Sequence, residues 1–208
     1  MIRGRLFALI MVSLIARGNA LATPTNPMPA LHRVHGAEQL FVDGKPFLVR
    51  GGELGNSSAS SLAYLKPFWP KLVAMNLNTV IAPVYWELIE PQPGRFDFSS
   101  VDGLLAQARQ SHMRLVLLWF GSWKNSMSSY VPGWIKRDEA RFPRAKRSDG
   151  SGMEILSPAS QNNVEADAAA FAVFMAHLKA ADSARHTVIM VQVENEIGMI
   201  PEARDHSA

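Results

Sequence analysis

Residues 187–198 read T-V-I-M-V-Q-V-E-N-E-I-G. Thr187, Ile189, Val191 and Val193 are all β-branched and alternate along the stretch, which predicts a strand face packed under helices. The intervening positions, Val188, Met190, Gln192, Glu194 and Glu196, begin apolar and end in carboxylates. The pattern predicts a strand buried on both faces. Charge at the end of such a strand is costly unless it is paired or used, so this is where chemistry is expected.

Working outward, the segments before this strand repeat one theme. Phe41–Phe47 predicts a short hairpin with Asp43-Gly44 at its turn, and Phe47–Arg50 an apolar strand running into Gly51-Gly52-Glu53-Leu54-Gly55-Asn56. A helix is predicted over about Pro67–Met75, with the prolines confined to its first turn and Asn76 as its C-terminal cap. Asn78–Ala82 predicts a second strand. Ser99 opens a helix with Asp102 in its first turn and Val101, Leu104, Leu105 and Ala108 as its buried stripe, and Arg114–Trp119 predicts a third strand. Residues 120–160 are irregular apart from a short helix from Pro132. The next helix carries Val164, Ala168, Phe171, Met175 and Leu178 at helical spacing. The order is β-α-β-α-β-α-β with long crossovers, which implies a parallel sheet covered by helices.

A parallel sheet can be open or closed into a barrel. An open nucleotide-binding sheet requires a glycine-rich phosphate loop opening directly into a helix. Gly51, Gly52 and Gly55 do not have that spacing, and Glu53 would repel a phosphate. Polar and aromatic residues instead follow every predicted strand: Glu53 and Asn56, Trp86 and Glu87, Trp119 and Trp123, Asn195 and Glu196. A ring of such residues at the C-terminal ends of strands is how a barrel enzyme builds its site.

Composition narrows the function classes. Of the 208 residues, 48% are hydrophobic, enough for a core. Arg3 and Arg5, the apolar run Leu6–Ile15 and Ala20-Leu21-Ala22 predict a signal peptide over residues 1–22, and hence a periplasmic or secreted protein with no membrane span in the mature chain. Removing Arg3, Arg5 and Arg17 lowers Lys+Arg from 21 to 18, against 18 Asp+Glu, so net charge gives no reason to expect nucleic acid as a partner. Residues 23–38 are expected to form a linker and lead-in, and 39–208 the catalytic region. With no cysteine, thiolate catalysis and Cys-ligated metals are excluded, and the six histidines show no metal spacing, so neither metal nor cofactor is expected. The run Lys136, Arg137, Arg141, Arg144, Lys146 and Arg147 is expected to be a solvated loop.

Three motifs carry a resemblance. V-Q-V-E-N-E-I-G (191–198) resembles the V-Q-x-E-N-E-Y-G signature of the family 35 glycoside hydrolases, β-galactosidases of a large retaining (β/α)₈ clan. Y-W-E-L-I-E-P-Q-P-G-R-F-D-F (85–98) resembles that family's W-N-x-H-E-P segment and is also similar to family 42 enzymes, and Y-V-P-G-W-I (130–135) resembles G-L-P-x-W-L. The resemblance implies α/β architecture, namely the first half of a (β/α)₈ barrel ending after the fourth strand. It also implies a β-linked oligosaccharide or polysaccharide as substrate. It makes Glu196 the general acid/base and Asn195 the residue that binds the sugar's 2-hydroxyl. Strict alternation would put Asn195 and Glu196 on opposite faces, so the strand must become irregular where they meet a sugar.

Glu194 and Glu196 would share a face and could be read as a paired-carboxylate site. Both would then approach the sugar from one side, whereas double displacement needs the nucleophile on the other. Glu194 is therefore expected to support its neighbours, with a direct role as the alternative. The family's nucleophile, a Glu at the end of a seventh strand, maps to no residue here, so a longer enzyme is expected. The family's Ala-Glu-Trp segment is replaced by W-F-G-S-W-K-N (119–125), with Glu87 and Ile89 in place of Asn and His, which bears on galactose specificity. Trp86, Trp119 and Trp123 could stack on sugar rings or fill the core. Glu53, Asn56 and Glu87 are candidate hydroxyl binders, and Glu90 is either a site residue or a structural partner. A non-catalytic carbohydrate-binding protein remains the second reading.

Overall fold

The computed structural model describes residues 27–207; the expected signal peptide lies outside them. The chain opens with an antiparallel meander, β1 (Ala30–Val34), β2 (Ala37–Val42) and β3 (Lys45–Pro46). Asp43 and Gly44 form the β2–β3 turn, both at positive φ, as the Asp-Gly signal predicts. The lead-in expected at 23–38 thus contains β1 and the start of β2.

Four parallel strands follow: β4 (Gly51–Glu53), β5 (Thr79–Tyr85), β6 (Arg114–Phe120) and, after an antiparallel hairpin, β9 (Val188–Val193), side by side in that order. Between β4 and β5 lie α1 (Leu62–Leu65), a 3₁₀ turn at Lys66–Phe68 and α2 (Trp69–Ala74). Asn76 closes α2 in the left-handed conformation. The short α3 (Trp86–Ile89) and the longer α4 (Ser99–Gln110) connect β5 to β6. α5 (Gly133–Lys136), the hairpin β7 (Arg144–Lys146) and β8 (Gly152–Leu156), and α6 (Gln161–Asp182) lead to β9. This succession of βα units is the first half of a (β/α)₈ barrel.

The core lies between the sheet and its helices. Val80, Ala82, Leu115, Leu117 and Trp119 meet the α4 stripe Val101, Leu104, Leu105 and Ala108, the stripe read in the sequence, together with Phe174 and Leu178 from α6. Each large side chain so buried contributes roughly 1.5–3 kcal/mol.

Several expectations change. Residues 47–50 do not form the first strand, which lies at 51–53; Leu48 is exposed, and the backbone of Arg50 is held instead by Asn78. The helix expected at 67–75 begins earlier, at Leu62, and is interrupted by the 3₁₀ turn around Pro67. The inward face of α6 is Asn163, Asp167, Ala170, Phe174, Leu178 and Asp182, whereas Val164 is 50% exposed and Ala168 and Met175 are also exposed. Periodicity of apolar residues missed this face because three of its members are polar and hydrogen-bond to neighbouring segments. Finally, β9 is not buried on both faces. Among the described residues it is the last strand of its sheet, with Met190 half exposed and Val193 62% exposed.

The basic run is not simply solvated either. Arg144–Lys146 pairs with β8, Ala145 is buried, and Lys146 N donates to Asp205 Oδ1 at 2.9 Å. Ser157, Ser207 and that backbone donor together hold the Asp205 carboxyl down at about 2, against the opposing effect of its partial burial. The segment after β9 is thereby tied across the hairpin.

Candidate active site

The site begins where β9 stops. After Val193 the chain leaves strand geometry: Glu194 and Glu196 both adopt left-handed φ, 61° and 52°. Non-glycine residues enter this region at a cost and mark places where the surroundings impose the conformation. The expected break in alternation is therefore real. It sends Glu194 inward and brings Asn195 and Glu196 to one partner.

That partner is Lys124, a residue passed over in the sequence. It follows β6 by four positions and its side chain is only 7% exposed. Its ammonium donates to Glu196 Oε2 at 2.5 Å, Asn195 Oδ1 at 2.7 Å and Asn125 Oδ1 at 2.9 Å, and lies over the Phe120 ring. Asn195 is buried, while the Glu196 side chain is 57% exposed. A charged lysine after a strand is usually read as surface, and nothing within W-F-G-S-W-K-N marks Lys124 out.

The loop bearing Lys124 is fixed from both sides. Lys124 and Met127 exchange backbone hydrogen bonds around Asn125 and Ser126, both at positive φ, forming a tight two-residue turn. Ser128 Oγ donates to Ser122 O and accepts from Leu156 N, joining the loop to β8. On the inner side, Glu194 accepts from Trp123 N at 2.8 Å and Ser122 N at 3.2 Å, while Asp167 accepts from Ser122 N and from Trp119 Nε1. Burial, and then the neighbouring Asp167 carboxyl, push Glu194 up to about 10, so it is protonated at neutral pH. Glu194 is a support for the loop, as expected of it, and does not share a face with Glu196.

The other candidates divide. Trp86 and Trp119 are fully buried; their indole nitrogens donate to Glu90 and Asp167, and they cannot stack on a sugar. Their loop-side sequence positions suggested otherwise, but Trp119 ends inside β6 against Phe174, and Trp86 opens α3 against Trp134. Glu90 also accepts from Gly94 N and is structural. Trp123 is half-buried beside the hairpin residues Ala145, Met153 and Ile155 and stays at the rim. Glu53 and Asn56 are exposed at the end of β4, and Glu87 pairs with Lys136 at 3.6 Å. The candidate site thus brings together Asn195, Glu196 and Lys124, with Trp123 next to Lys124 on the same loop. Among the described residues no cluster of three His, Asp or Glu side chains could hold a metal ion, and no helix is long and apolar enough to cross a membrane.

A family model for the glycoside hydrolase 42 family, described as beta-galactosidase, matches residues 70–207. The chain belongs to this family. Of the two resemblances read in the sequence, the match falls to family 42 and does not support family 35 specifically. A beta-galactosidase from Xanthomonas manihotis is 33% identical over 111 residues, 53% of this chain and 18% of that protein, so the chain spans about a fifth of that relative's length. An exo-beta-1,4-mannosidase from Opitutaceae bacterium strain TAV5 superposes with a TM-score of 0.56 at 19% identity, over 76% of this chain and 26% of that one. The catalytic domain of a beta-amylase from Paenibacillus polymyxa gives 0.55 at 14% identity, over 69% and 36%. These two likenesses concern the barrel fold alone, and in this glycoside hydrolase 42 chain the half-barrel places Asn195 and Glu196 at the C-terminal end of the sheet.

Proposed function

We propose that this chain forms part of a retaining β-galactosidase that releases terminal β-linked sugars from oligo- or polysaccharides. Glu196 is the proton donor to the leaving oxygen and then the base for water. Asn195 binds the 2-hydroxyl beside the reacting carbon. The opposing nucleophile of a double displacement would come from a later strand of a complete barrel. The single observation supporting this reading is the Asn195–Glu196 pair, held together where β9 ends, at the face on which barrel enzymes place their chemistry. Trp123 is a candidate platform for a sugar ring, and Glu53, Asn56 and Glu87 for its hydroxyls. Residues 1–22 act in this reading as a leader, placing the enzyme in the periplasm or outside the cell; N-terminal sequencing of the mature protein should begin at Thr23.

The test is Glu196→Gln in the full-length protein. Lactose turnover, which needs protonation of a poor leaving group, should fall by roughly a hundredfold or more, while an aryl galactoside with a good leaving group should lose far less in its first step. Equal lactose turnover by the variant and the parent would refute the assignment.

A further inference from the structure

We infer that Lys124 is a positioning residue that sets the orientation of the Asn195 amide and through it the recognition of the sugar's 2-hydroxyl. This rests on the glycosidase reading above. An ammonium can only donate, so the Asn195 group 2.7 Å from Lys124 must be the amide oxygen. The amide nitrogen is then turned away from Lys124. It has no hydrogen-bond partner among the described residues, and it is not among the side-chain atoms sealed from solvent without one. A donor held in place, unpartnered and reachable is suited to an acceptor on a ligand, which for a sugar is a hydroxyl oxygen.

Lys124 has no protons to spare for substrate. Its three N–H groups go to Asn125, Asn195 and Glu196. The lysine therefore acts on the sugar only through its neighbours, and its own position is imposed by the two-residue turn and by the carboxyls of Glu194 and Asp167 beneath the loop. Removing the ammonium would free the Asn195 amide to rotate, presenting oxygen where nitrogen had been.

The experiment compares the parent protein, Lys124→Met and Lys124→Arg on a 4-nitrophenyl β-galactoside and on its 2-deoxy analogue, with circular dichroism melts to confirm folding. Lys124→Met should lower kcat on the parent sugar by roughly tenfold to a hundredfold, the range for losing a hydrogen bond to a charged group. The 2-deoxy sugar should show only the loss that comes from the Lys124–Glu196 contact, several-fold smaller than the loss on the parent sugar, and Lys124→Arg should recover part of that difference. A merely structural lysine would lower both substrates equally, and that result, or unchanged kcat on both, overturns the role. Glu196→Gln separates the two readings: if it abolishes lactose turnover while Lys124→Met shows no dependence on the 2-hydroxyl, only the Lys124 role falls. A parent protein that neither cleaves galactosides nor binds galactose by calorimetry removes both.

Discussion

Glu194 and Asp167 place two carboxyls under one short loop, and the physical chemistry of that pair makes a prediction at the level of single residues. Glu194 is raised from 4.5 in the unfolded chain to about 10 in the folded one, by burial first and by Asp167 second. The native state therefore keeps a proton that the unfolded chain releases. The stabilisation is complete below about pH 4.5 and is lost progressively as pH rises towards 10. Glu194→Gln supplies a permanently neutral side chain of the same shape, still able to accept from Trp123 N. Thermal melts from pH 5 to 10 should show Tm falling in the parent and falling less steeply in the variant. Equal slopes would remove the pair as the source of the alkaline sensitivity. The same residues show where sequence reading stops. Asn195 and Glu196 stand out in the sequence because their order in E-N-E is distinctive, and the structure brings both to one partner. Lys124 was not, since its value comes from being brought within 2.5 Å of a residue 72 positions away. The indoles of Trp86 and Trp119 were misplaced for a related reason: both follow or end strands, yet each has a buried acceptor that draws it into the core.

Among elements, α6 is the informative case. Its apolar residues and its inward residues are different sets. Asn163 donates to the carbonyls of Pro143 and Ser157, Asp167 accepts from Trp119, and Asp182 accepts from Arg109 and Val188 N, so each polar member of the inner face is hydrogen-bonded, although Asn163 Oδ1 is buried without a partner among the described residues. Only the packing partners reveal this, because hydrophobic periodicity scores a buried, hydrogen-bonded asparagine or aspartate as solvent-facing. The α4 stripe, wholly apolar, was read correctly. Two substitutions distinguish the faces. Phe174→Ala removes a ring stacked on Trp119 at 5.3 Å and should destabilise by about 3–5 kcal/mol. Val164→Ala, on the half-exposed side, should change stability by less than about 1 kcal/mol. Urea denaturation of both measures the contrast, and comparable losses would mean that the helix is rotated from the orientation described.

Across the whole molecule, the two ends of the parallel sheet do different work. Asn195, Glu196, Lys124 and Trp123 gather at the C-terminal ends, on loops whose backbone is forced into left-handed conformations. The N-terminal ends carry a separate set of ion pairs. Asp43, in the β2–β3 turn, accepts from Arg114 Nη2 at 2.6 Å and pairs with His186 Nδ1 at 2.9 Å; Arg109 grips Asp182 at 2.6 Å and Thr187 at 2.8 Å. Under the proposed function this is the division of labour expected of a barrel, chemistry at one face and stability at the other. The Asp43 contact has a temporal consequence. It joins residues 143 apart in the chain, so it can close only after β6 and the approach to β9 have been assembled. Contacts that form after the rate-limiting step govern how fast a protein comes apart, not how fast it is made. Asp43→Asn should therefore speed unfolding in stopped-flow denaturant jumps and leave the refolding arm almost unmoved; a slowed refolding arm would mean that the meander docks early.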